Sequence, residues 1–81
     1  MKLWLISQNE NTGYATFNSA VVAAESAKEA RRINPRTGGP LDENSAHDWV
    51  TDPNFVSCQC LGTAANDIKK NQIILTRLNA Y

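Results

Sequence analysis

Ser19-Ala20-Val21-Val22-Ala23-Ala24-Glu25-Ser26-Ala27-Lys28-Glu29-Ala30-Arg31-Arg32-Ile33-Asn34-Pro35 is the stretch on which the fold turns. Its first half is a small apolar run with a β-branched pair, Val21-Val22, which suits a pleated, half-buried surface. Its second half changes period. Ser26 and Glu29 have capping-box spacing, and Ala27, Ala30 and Ile33 recur every third residue as a narrow apolar stripe. Lys28, Arg31 and Arg32 fall mostly outside that stripe. Asn34-Pro35 closes the segment, because a proline disfavours the helical conformation of the residue before it. The pattern predicts a strand over 14–24 running into a helix over 26–34. So short a helix is not stable alone and has to lie against a sheet.

Toward the N-terminus, residues 2–8 read as another strand. Trp4 and Ile6 share a face with Lys2 and Gln8, while Leu3 and Leu5 occupy the other. Apolar residues on both faces mark a central strand. Asn9-Glu10-Asn11-Thr12-Gly13 is a turn cluster, with Gly13 expected at positive φ, so the first two strands form an antiparallel hairpin.

Toward the C-terminus, residues 34–48 form a long irregular stretch broken by Pro35, Gly38, Gly39 and Pro40, expected to be functional or disordered. Trp49-Val50 returns to the core, and Asp52-Pro53 reads as a cap with proline at the first helical position. Strands follow over 55–61 and 72–79, separated by a loop anchored by Ile68. The expected fold is α+β: one domain over residues 1–81, a small four-stranded, mainly antiparallel sheet with one helix packed on one face, in the order ββαββ. One helix cannot cover four strands. Leu3, Leu5, Ile73 and Leu75 therefore suggest a partner or a second copy of the chain.

The chain has 81 residues, with 8 Lys+Arg balanced by 8 Asp+Glu. Zero net charge argues against a polyanion binder, so direct nucleic-acid binding is not expected. No run of roughly 18 apolar residues is present, so no membrane association is expected. Cys58 and Cys60 alone do not make a disulfide scaffold. With no export signal after Lys2, the cytoplasm is the expected compartment.

No pattern for catalysis stands out. Cys58-Gln59-Cys60 places two thiols on one strand face, but with the single His47 they fall one short of a zinc site. The pair reads as small core hydrophobes, and neither a metal nor a cofactor is expected. His47, in Ser45-Ala46-His47-Asp48, could serve as a general base, although adjacency in sequence is not triad geometry. Arg31, Arg32 and Arg36 form the densest basic group, fit either for phosphate or as a solvated helix end. Tyr14, Phe17, Trp4, Trp49 and Tyr81 could line a flat-ligand pocket or an interface, with Trp4 and Trp49 also suited to the core. The candidate contact residues are thus Tyr14, Arg31, Arg32, Arg36, His47 and Trp49.

These residues resemble a group of short proteins of unassigned function found in bacterial viruses and prophages. The resemblance rests on the Met1-Lys2-Leu3-Trp4 opening, the Ser19 to Ser26 strand-to-helix join, the Trp49 to Pro53 element and the closing Ile-Ile-Leu strand ending Asn-Ala. It covers most of the chain apart from residues 35–46, and it departs at Asn18, where Asp is expected, and at Tyr81. These are scaffold motifs, and no catalytic residue carries over with them. The resemblance implies a non-enzymatic phage accessory protein that binds a host protein complex, such as an anti-CRISPR-like inhibitor of bacterial defence. The alternatives are an oligomeric sponge that sequesters a cyclic-nucleotide signal through the arginines, and a small hydrolase using His47.

Overall fold

A computed structural model describes residues 1–79. The strands are β1 (Lys2–Ser7), β2 (Phe17–Ala24), β3 (Ser57–Thr63) and β4 (Ile73–Leu78). They form one sheet in the order β3-β1-β2-β4, with every neighbouring pair antiparallel. A single short helix, α1 (Ala27–Ala30), follows β2, and 3-10 turns occupy Glu43–His47 and Pro53–Phe55. This is the small α+β fold expected from the sequence. β1 and β2 are the two central strands, which is why both carry apolar residues on both faces.

Pairing sorts the side chains into two faces. On one, Cys60, Trp4, Val22 and Ile73 lie in a cross-strand row, and Cys58, Ile6, Ala20 and Thr76 in the next. This face carries the core, in which Ile6, Val22, Ala30, Ile33, Trp49, Val50 and Val56 are buried together. The cover is α1, the chain after it, and the segment returning through Trp49 to Val56. Trp4 is half-buried at the edge of this core, and its indole Nε1 donates to Ala24 O at 3.0 Å.

Three features differ from the sequence pattern. The helix expected over 26–34 is one α-turn. Ser26 caps it by accepting from Glu29 N at 3.3 Å, but the Glu29 carboxylate reaches back to Glu25 N at 3.2 Å rather than to the cap itself. Beyond Ala30 the bonds tighten to three-residue spacing, from Arg32 N to Glu29 O and from Ile33 N to Ala30 O. Ile33 is then drawn into an antiparallel bridge with Pro40. One turn has too few hydrogen bonds to resist that tertiary pull.

Second, β2 begins at Phe17 rather than at residue 14, because residues 13–16 form a turn. In it the left-handed residue is Ala15, at φ 64°, and not the expected Gly13. Thr16 Oγ1 donates to Gly13 O at 2.6 Å and accepts from Asn79 Nδ2 at 2.9 Å, tying this turn to the end of β4.

Third, the stretch 34–48 is ordered around two buried polar residues. Asn34 is 5% exposed; its Oδ1 accepts from Arg36 N at 3.0 Å, and its Nδ2 donates to Ser45 Oγ at 3.3 Å. Ser45 Oγ also accepts from Asp42 N at 3.0 Å, completing a capping box for the Glu43–His47 turn. Gln8 ties the other end of the molecule. Its side chain accepts from Glu10 N and Asn11 N and donates to Asn11 O and Phe17 O, at 2.8–2.9 Å. All four bonding positions of that buried amide are used.

Candidate functional site

On the second face of the sheet Leu3, Leu5 and Val21 are half-buried, Ala23 is fully buried and Leu75 is exposed. The register places Gln59, Leu5, Val21 and Leu75 in one row across all four strands, and Ser57, Ser7, Ser19 and Arg77 in the adjacent row. Leu3 continues the apolar surface, opposite Ala23. Arg77 is the only charged residue in the two rows. A shallow depression of about 130 Å³, almost wholly apolar, lies among Leu5, Val21, Leu75, Ser19 and Arg77. Leu75 is 66% exposed there.

A bulge builds this arrangement. Val21 pairs with Leu75 but Val22 pairs with Ile73, so Ile74 is an extra residue in β4. Simple alternation would put Ile73 and Leu75 on one face. The bulge instead turns Ile73 onto the core and leaves Leu75 on the opposite side.

The residues singled out in the sequence do not converge. Trp49 is completely buried and belongs to the core, so it has no face to offer a ligand or partner. Tyr14 is 74% exposed beside the 13–16 turn. Arg31 lies close enough to Cys58 to act on its thiol electrostatically. Arg32 lines a separate surface depression with Lys70 and Glu29, in which Lys70 Nζ already pairs with Glu29 at 3.5 Å. Arg36 Nε pairs with Asp48 Oδ2 at 3.4 Å. The three arginines therefore lie in three different surroundings. His47 is exposed at the end of its 3-10 turn, and the carboxylate beside it in sequence is engaged by Arg36. Tyr81 lies outside the described residues.

Cys58 and Cys60 occupy the same face of β3, as residues two apart on a strand must. Both thiols are free. Partial burial pushes the Cys58 thiol above its ordinary value, Arg31 opposes that shift, and Cys60 adds to it. Among the described residues no group of three or more His, Cys, Asp or Glu is placed to hold a metal ion, and no helix is long and apolar enough to cross a membrane.

No protein-family model matches the chain, and comparison with curated proteins and with solved structures finds no match.

Proposed function

We propose that this chain is a non-enzymatic binding protein, a phage accessory factor that occludes a surface of a host protein complex in the cytoplasm, in the manner of an anti-CRISPR inhibitor. One observation carries the binding role: the apolar row Leu5–Val21–Leu75 crosses the sheet face opposite the core and ends in the well-exposed Leu75. Burying an exposed leucine side chain is worth about 1.5–3 kcal/mol, and the partly sheltered Leu5 and Val21 yield less than Leu75. Such a strip, neutral but for Arg77 at its rim, suits an apolar protein surface better than an anion. The resemblance to small phage proteins supplies the biological setting.

The test is affinity capture from a bacterial lysate at micromolar bait, comparing the wild type with Leu75→Arg and with Glu43→Lys, which alters the exposed 3-10 turn on the covered side. The expected result is one specific protein or complex held by the wild type and by Glu43→Lys, and lost at least tenfold in Leu75→Arg. Capture of nothing specific, or capture untouched by Leu75→Arg, contradicts the reading.

A further inference from the structure

Cys58-Gln59-Cys60 is a chemical feature that neither the core nor the proposed contact face absorbs. As small core hydrophobes, the role their pattern suggests, both thiols would be buried. The structure instead leaves Cys60 exposed and Cys58 half-buried at the margin of the core, so packing does not account for the pair. The register is regular through this part of β3: Cys58 pairs with Ile6, Gln59 with Leu5 and Cys60 with Trp4. The irregularity falls beyond it, between Trp4 and Leu3. Both thiols therefore stand on one face, two residues apart, and both are free.

Spacing decides what the two sulfurs can share. Residues two apart on a strand have parallel Cβ atoms roughly 6.6 Å apart. A disulfide needs a Cβ separation of about 3.5–4.5 Å, so a direct bond would have to bend the strand. An ion inserted between the sulfurs removes that mismatch. It holds them about 4.6 Å apart, twice a metal–thiolate bond of roughly 2.3 Å, and the strand keeps its shape.

The surroundings narrow the choice of ion. Among the described residues no third His, Cys, Asp or Glu is placed to complete a site with the pair. Zinc takes four ligands and is not served. Magnesium and calcium take oxygen ligands. Thiolates favour soft metals, and of these copper(I) is satisfied by two sulfurs in line. The cross-strand neighbours Ile6 and Trp4 bring no competing oxygen donor, and the Trp4 indole N–H is already given to Ala24 O.

We propose that Cys58 and Cys60 form a two-coordinate site for copper(I), held between the two sulfurs on the core-side face of β3. Each thiol releases its proton to solvent as its sulfur bonds the metal. One Cu⁺ enters, two protons leave, no electron changes hands, and the bound unit carries one negative charge. Arg31 lies close enough to Cys58 to offset that charge. The site is on the opposite face of the sheet from Leu5, Val21 and Leu75, so it stands independently of any protein partner.

Anaerobic titration of the reduced chain with copper(I), in competition with the colorimetric chelator bathocuproine disulfonate, tests it. The expected result is one copper per chain, with two sulfur neighbours by X-ray absorption, not displaced by a tenfold excess of zinc(II). Cys58→Ser and Cys60→Ser each weaken binding at least a hundredfold. Because Cys58 touches the core, a second variant keeps it: Gln59→Cys combined with Cys60→Ser retains two thiols but sets them on opposite faces of the strand. It too loses at least a hundredfold. A wild type that binds no more tightly than this rearranged variant overturns the inference. So does a complex of two chains per copper, a third donor in the absorption spectrum, or displacement by the zinc excess.

Discussion

Cys58 and Cys60 differ by two positions on one strand and point the same way, yet their surroundings separate them chemically. Cys58 pairs with Ile6 and is partly buried, whereas Cys60, opposite Trp4 in the neighbouring row, is exposed. Burial raises the Cys58 thiol and outweighs the nearby Arg31. Iodoacetamide at neutral pH should therefore modify Cys60 first, with Cys58 several-fold slower, as read by peptide mass spectrometry. The sign of the pH effect follows. The native Cys58 keeps its proton to higher pH than the unfolded chain does. Its contribution to stability is intact below the unfolded thiol's value and is lost as pH rises through the raised native one. Cys58→Ala should flatten the alkaline limb of the unfolding midpoint. Equal alkylation rates would contradict this ordering. The pairing of the two thiols on one face was legible from period two alone; their unequal exposure depends on what packs above each, which no local pattern encodes.

At the scale of elements, the covering segment 34–48 is held by a few buried polar atoms rather than by regular structure. Ser45 is wholly buried and accepts from both Asp42 N and Asn34 Nδ2. Ser45→Ala strands two donors without a partner and should destabilise the fold by about 1–3 kcal/mol in urea unfolding, with an unchanged m-value. A change below a few tenths of a kcal/mol would show that the segment contributes little. The strands were readable because alternation and β-branching act locally, and the capping pair Ser26–Glu29 marked the start of α1. The length of α1 was not readable, because the bridge from Ile33 to Pro40 that ends it joins residues on opposite sides of a turn. The bulge at Ile74 was hidden for a similar reason. It is a property of how β4 meets β2, and it separates Ile73 from Leu75, which alternation groups together.

At the scale of the molecule, the sheet is covered on one side by a single helical turn, two 3-10 turns and the loops between them. Sequence arithmetic pointed to a shortage of cover, since one helix cannot roof four strands, and it named Leu3, Leu5, Ile73 and Leu75 for a contact; of these Ile73 instead packs against the core. The dispersed set of Tyr14, Arg31, Arg32, Arg36 and His47 was chosen by residue type, which reports chemical capability and not convergence. The structure gathers Leu5, Val21 and Leu75 on one face and keeps Arg31, Arg32 and Arg36 apart. The most direct test of the contact face is hydroxyl-radical footprinting of the chain alone and saturated with its captured partner. The account predicts that labelling of Leu75 falls several-fold on binding, while Tyr14, at 74% exposure, is labelled as before. Protection of Tyr14 and His47 with Leu75 unchanged would place the contact on the loops and contradict the account.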